Sequence, residues 1–187
     1  MRSAMTVLLA AICASVTSTS CGSGRDPSTG ERLTPEYDAA TGRLTRITYD
    51  RDGDGKPDTW GVLGLDGLAR VDIDEDSDRQ VDRLEYYERD AGTGESRLVR
   101  IERALDAAGR PARREFLVDG VLARVEADTN ADGQVDVWQV FADGRLVTVE
   151  IDTDHVGYAT RRLTYSPDGA VSVTRLDRST ISRTEPR

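Results

Sequence analysis

Apolar and polar residues alternate along this chain in short runs that return at a fixed distance. Aligned on one leucine, the runs read "LTRITYD" at Leu44, "LARVDID" at Leu68, "LVRIERA" at Leu98, "LARVEAD" at Leu122 and "LVTVEID" at Leu146. The spacings are 24, 30, 24 and 24 residues, and "AVSVTRL" at Ala170 continues the period. A fixed period of this length marks a repeat array. Within one unit, Ala123, Val125 and Ala127 stand against Arg124 and Glu126, the two-residue period of a half-buried strand. A second alternating run follows in each unit, as "TWGVL", "RLEYY", "RREFL", "VWQVF" and "RRLTY". Asp-Gly pairs ending at Gly67, Gly120, Gly144 and Gly169 then lead to the next unit, and this dipeptide is a strong hairpin signal.

Each unit therefore reads as strand, long acidic loop, strand, tight turn. The expected fold is all-β, an antiparallel β-hairpin repeat array (a meander) of about five units of 24 residues, spanning residues 38–177. The step of 30 residues holds a six-residue excess near "ERDAGTGESR", which reads as a longer surface loop. Such an array puts the long loops along one edge and the tight turns along the other. With neighbouring strands about 4.8 Å apart, successive long loops should lie roughly 10 Å apart. Aromatic residues make up only 5% of the chain and apolar residues 37%, which suits a thin repetitive sheet better than a thick core.

The start of the chain departs from the repeat. "MRSAMTVLLAAICASVTSTSC" has one arginine, an apolar run too short to span a bilayer as a helix, and small residues before Cys21. Residues 1–20 thus have the layout of a secretory signal peptide. Small residues followed directly by a cysteine resemble the lipobox of bacterial lipoproteins, although Ser18 stands where that family usually has leucine. The resemblance implies that Cys21 is lipidated and becomes the first mature residue, followed by a flexible linker to residue 37. Gly22 after the cysteine resembles lipoproteins sorted to the outer membrane. A general signal-peptidase cut near the same place would instead give a soluble periplasmic or secreted protein. Cys13 would leave with the leader, so the mature chain has one cysteine and no disulfide. A tail at 178–187 ends the chain.

The long loops carry the candidate chemistry. The first runs Asp50, Asp52, Asp54, Gly55, Lys56, Asp58, and the fourth Asp128, Asn130, Asp132, Gly133, Gln134, Asp136. This is the D-x-D-x-D-G-x-x-D spacing, in which side chains at the first, third, fifth and ninth positions and the carbonyl at the seventh converge on calcium. The second loop keeps Asp74, Asp76, Asp78 and Asp82 but has Arg79 in place of the glycine. The third unit has Ala104, Asp106, Ala108 and Ala112 at the acidic positions, and the fifth has Asp152 and Asp154 but Val156 and Thr160. Two full sites, one strained site and two lost sites are expected. Asp and Gly also favour turns without any metal, so a solvated acidic turn is the competing reading.

The loops resemble those of EF-hands and, more closely, the same motif in extracellular repeats outside EF-hands. The bidentate glutamate expected at the twelfth position is replaced by Gly61 and Gln139, which implies weak calcium affinity in the roughly 10⁻⁴ to 10⁻³ M range. The strand and turn segments "YDAATGRLTRITYD" and "FADGRLVTVEID" resemble YD (RHS-type) repeats, and more loosely MORN-type repeats, over about Asp38 to Asp177. That resemblance implies repetitive β-structure and carries no activity.

Loss of Arg2 with the leader takes the net charge from −9 to −10, which argues against nucleic acid or anionic lipid as a direct ligand. The single histidine, His155, occupies a loop position, and no serine has a histidine partner at motif spacing, so the chain does not read as an enzyme. The acidic residues follow the repeat, whereas catalytic carboxylates of a hydrolase would break its phase. Arg46, Arg70, Arg100 and Arg124 form an equivalent row that either pairs with acids such as Glu126 or reads an acidic glycan or protein. The functional expectation is a membrane-anchored lipoprotein with structural calcium, acting as an interaction or scaffold protein of the cell envelope. A surface glycan- or protein-binding module without metal is the alternative.

Overall fold

The computed structural model describes residues 32–178. The leader, Cys21 and the tail from residue 179 onward lie outside them. Twelve strands form one antiparallel sheet in sequence order, so every strand pairs with its neighbours in the chain. They are β1 (Leu33–Tyr37), β2 (Leu44–Tyr49), β3 (Thr59–Gly64), β4 (Gly67–Ile73), β5 (Arg83–Arg89), β6 (Ser96–Leu105), β7 (Pro111–Val118), β8 (Val121–Ala127), β9 (Val137–Ala142), β10 (Arg145–Ile151), β11 (Arg161–Tyr165) and β12 (Val171–Arg175). The expected meander is present, and among the described residues no helix is long and apolar enough to cross a membrane.

Two features were not legible in the pattern. The sheet begins at Leu33, inside the stretch read as linker. All five residues of β1 are exposed, so no buried face imposes an alternation that the sequence could reveal. Each aligned leucine is also followed by a β-bulge. The register jumps past Thr45, Ala69, Val99, Ala123 and Val147, one residue after Leu44, Leu68, Leu98, Leu122 and Leu146. A bulge reverses the facing of residues on either side and increases local twist. Repetition of this twist at one place in each unit is what the leucine phase encodes.

The tight turns follow from local chemistry. Val118 pairs with Val121 and Ala142 with Arg145, leaving two-residue loops Asp119–Gly120 and Asp143–Gly144. Both residues of each loop have positive φ, at 51° and 76° and at 50° and 74°. This is the type I′ turn whose twist matches a hairpin, and Asp-Gly tolerates it best. The longer connection at 90–95 is closed by Asp90, whose side chain accepts the N–H groups of Gly92 and Thr93 at 2.8 and 2.9 Å.

Among the described residues, only β4 and β6 touch beyond neighbouring strands, so the described sheet is a single layer. The fully buried apolar residues of the strands, Val71, Ile73, Val125 and Val149, sit on one face, with Ile73 and Val125 fully enclosed, while Ala159 and Leu176 are buried outside the strands. That line is interrupted at β5 to β7 by Glu85 and Glu115. There Arg83, Arg103 and Arg113 lie directly opposite one another across three strands. Glu75, Glu85 and Glu115 relieve their repulsion through contacts of 2.6 to 3.8 Å.

Removing most of a fully buried side chain from so thin a core has no second layer to absorb it. Ile73→Ala should lower stability by about 3 kcal/mol, whereas Leu65→Ala, at a position 85% exposed, should change it by less than about 0.5 kcal/mol. Urea unfolding followed by circular dichroism measures both.

Candidate metal-binding loops

The four long loops leave β2, β4, β8 and β10 and return in β3, β5, β9 and β11, all along one edge of the sheet. They share one scaffold. The first-position aspartate turns back over the loop and accepts the N–H of the sixth position: Gly55 to Asp50 at 2.9 Å, Arg79 to Asp74 at 2.8 Å, Gly133 to Asp128 at 2.7 Å and Gly157 to Asp152 at 2.7 Å. The ninth-position side chain accepts the N–H of the second: Arg51 to Asp58 at 2.9 Å, Glu75 to Asp82 at 2.7 Å and Thr129 to Asp136 at 3.2 Å. In the fifth unit Thr160 fills that role, receiving Thr153 N–H at 3.1 Å.

Two positions per loop adopt the left-handed region. At the sixth they are Gly55, Arg79, Gly133 and Gly157, with φ of 87°, 77°, 88° and 82°. At the fourth they are Gly53, Ser77, Ala131 and His155, with φ of 81°, 65°, 61° and 53°. The strain expected at Arg79 is therefore real, and the fourth position carries a second strain that the motif spacing did not flag. Gly157 is the signal that marks the fifth loop as the same structure despite its lost acids.

The loop bases are locked into the sheet. Asp74 N–H donates to Asp58 carbonyl at 2.9 Å and Asp152 N–H to Asp136 carbonyl at 2.8 Å, tying the ninth position of one loop to the first of the next. Asp58, Asp74 and Asp136 are each 5% exposed or less, yet all accept hydrogen bonds. Neighbouring loops also meet through side chains. Ser77 Oγ donates to Asp52 Oδ2 at 3.2 Å, and Asn130 Nδ2 lies 2.9 Å from His155 Nδ1.

Two acidic groups among the described residues could hold a metal ion. Asp50, Asp52 and Asp58 bring one oxygen each within 4.8 Å of one another, and so do Asp74, Asp76 and Asp78. Asp54 stands outside the first group, with Lys56 Nζ 3.4 Å from its Oδ2. Asp82 stands outside the second and holds Glu75 N–H. In the fourth loop, Asn130 and Asp132 accept the N–H groups of Asp132 and Gln134 at 2.9 and 2.8 Å, as Asp52 and Asp54 accept those of Asp54 and Lys56 in the first. Asp128 Oδ1 is buried there without a hydrogen-bond partner. The third unit makes a short turn in which Asp106 accepts from Arg110, and it has no cage.

The arginine row is mostly neutralised. Arg70 pairs with Asp72 at 2.6 Å, Arg100 with Glu102 at 3.4 Å, and Arg124 with Glu126. Arg100 also stacks 3.9 Å over the Tyr86 ring, and Arg124 lies 5.3 Å from that of Phe116. Arg46 has Thr48 where the others have an acid, and its buried Nε has no partner.

No family model matches the chain. No curated protein matches it either. Among solved structures it is similar to part of a GtfA/B complex bound to UDP and GlcNAc, at 11% identity and a TM-score of 0.42, over 60% of this chain and 23% of that one. It is also similar to part of the accessory secretory protein 1, 2 and 3 assembly of Streptococcus pneumoniae, at 16% identity and a TM-score of 0.30, over 65% of this chain and 19% of that one. The chain thus spans less than a quarter of either neighbour.

Two outcomes follow from the loop scaffold. A Cβ at Gly55 would meet nothing within 4 Å, so Gly55→Ala isolates the backbone strain and should cost about 1 kcal/mol in a urea melt. Burial of Asp152 would raise its carboxyl, but the N–H groups of Val156, Gly157, Asp154 and Tyr158 outweigh this and hold it below its ordinary 3.8. A depressed carboxylate contributes stability that is complete above 3.8 and is lost as the pH falls through the lower folded value. Stability should therefore decline on acidification below about pH 4, and Asp152→Ala should flatten that decline.

Proposed function

We propose that this is an exported, lipid-anchored protein of the bacterial cell envelope whose hairpin array holds structural calcium ions in its long loops. Cys21 is the anchor, with an outer-membrane destination suggested by Gly22. The protein works as an interaction or scaffold element and not as an enzyme. Asp50, Asp52, Asp54, the Lys56 carbonyl and Asp58 hold one ion, and Asp128, Asn130, Asp132, the Gln134 carbonyl and Asp136 a second. Asp74, Asp76, Asp78 and Asp82 form a third site, weakened by Arg79.

The observation that carries this reading is the buried, unpartnered Oδ1 of Asp128 at the first position of a loop built like the metal-capable first and second loops. An unpaired buried carboxylate oxygen is costly, and a cation removes that cost. Calcium accepts six to eight oxygens in flexible geometry, which suits several side-chain oxygens and a carbonyl gathered by one loop, whereas magnesium demands tighter octahedral geometry and holds its waters. Bound ions would cancel repulsion along the acidic edge and add binding free energy to folding.

A thermal melt with excess chelator, then with calcium titrated to millimolar and magnesium as control, tests the proposal. A calcium-selective rise in melting temperature is expected. Asp132→Ala should lower the melting temperature in millimolar calcium and change it little in chelator. Equal effects in both conditions would exclude structural calcium from that loop and leave the metal-free binding module as the better reading.

A further inference from the structure

The two ends of the meander present different edges. Asp50 N–H donates to the Arg32 carbonyl at 2.7 Å, which sets the phase of the β1–β2 ladder. Thr34 and Glu36 then turn their backbone groups towards β2, while Leu33, Pro35 and Tyr37 turn theirs outward. The outer edge of β1 thus has proline at its centre, where a donor is missing, and proline is one of the devices that blunt an edge. At the other end, Leu176 N–H donates to the Thr160 carbonyl at 2.9 Å. By the same phase, Ser172 and Thr174 face β11, and Val171, Val173 and Arg175 offer their N–H and carbonyl groups outward. This edge has no proline or glycine, and the β11–β12 register is unbroken.

The apolar line of the sheet also runs out there. Val149 is 7% exposed, Leu163 beside it is half-buried, and Val173 at the end is 66% exposed. One more strand beside β12 would cover Val173 as β11 covers Val149.

We propose that β12 is an interaction edge and that its partner is β12 of a second copy of this chain, paired antiparallel about a two-fold axis at Val173. Head-to-tail addition would need the β1 edge, which Pro35 blunts. Parallel pairing would bring Arg175 beside Arg175 of the second copy. The two-fold arrangement instead puts Arg175 opposite Val171 and brings the Asp168 turn towards Arg178 of the other chain. Val173 meets its own copy, and three outward residues per chain make about six backbone hydrogen bonds. A contact of this length is at the small end for specific association, so the dimer is reversible and concentration-dependent. The symmetry closes the assembly at two copies and leaves the acidic loops free.

Sedimentation velocity across micromolar to millimolar concentrations tests this with the full chain carrying Cys13→Ser and Cys21→Ser, which removes lipid and intermolecular disulfides from the comparison. The expected result is a mass that rises to twice the monomer value. Val173→Pro deletes an outward N–H without breaking a bond to β11, and Val173→Lys adds an edge charge. Both should weaken association at least tenfold while melting like the parent chain. A parent that stays monomeric throughout overturns the proposal. So do folded variants that associate as strongly as the parent, or a parent that dimerises only when residues 179–187 are removed.

Discussion

A sheet one layer thick has no second layer to bury against, so its backbone ladder must do much of what a core does elsewhere. Here the ladder does not stop where the strands stop. The N–H of the ninth loop position donates back to the residue before the loop, as Asp58 to Tyr49 at 3.0 Å and Asp136 to Ala127 at 2.9 Å. Its carbonyl accepts from the first position of the next loop. Loops one and four are thereby fastened on both sides at a buried ninth position. Ile73 and Val125, the two largest fully buried side chains, lie next to these bonds, Ile73 directly before Asp74 and Val125 two residues before Ala127, which accepts from Asp136.

This ordering separates two roles that one aspartate pattern combines. The first- and ninth-position side chains clasp the loop by accepting its own N–H groups, and that requires acceptors, not charge. The fifth unit demonstrates the distinction, since Thr160 replaces the ninth carboxylate and Val156 the fifth, yet Asp152 and Thr160 hold the same turn. Cation binding needs the additional oxygens at the third and fifth positions. Loops one, two and four keep those oxygens, whereas loop five has lost the one at the fifth. A prebuilt clasp lowers the ordering cost of metal binding, because less of the loop has to be organised by the ion.

Much of the fold was legible because the leucine phase, the alternating runs and the Asp-Gly turns each impose a local rule. Those rules placed every strand from β2 to β12 and both type I′ turns. β1 stayed hidden because five exposed residues follow no alternation. The bulges stayed hidden because an extra residue such as Ala69 or Ala123 is indistinguishable from a strand residue until the partner strand is known. At the loops, the spacing identified the acidic residues and the strain at Arg79, but not the strain at the fourth position. Only Gly53 in the first loop announces positive φ there, whereas Ser77 and Ala131 do not and His155 does so only weakly. The arginine row was read with two outcomes open, and Asp72, Glu102 and Glu126 two residues on neutralise three of its four members.

The middle of the array obeys a different balance from its ends. At β5 to β7 the apolar line is broken, and three aligned arginines would repel one another across adjacent strands. Glu75 is one of the residues that offsets them, meeting Arg83 at 2.6 Å and Arg103 at 3.6 Å. It does so from inside the second acidic loop, where its N–H is held by Asp82. The conformation of that loop is therefore coupled to charge pairing on the sheet face beside it. The unit that follows has no acidic loop, so Glu75 and the strand glutamates supply negative charge to the central arginines without an acidic third loop. Loss of the third cage and retention of the ionic face belong to one arrangement, in which paired charges replace apolar contact between the two buried patches.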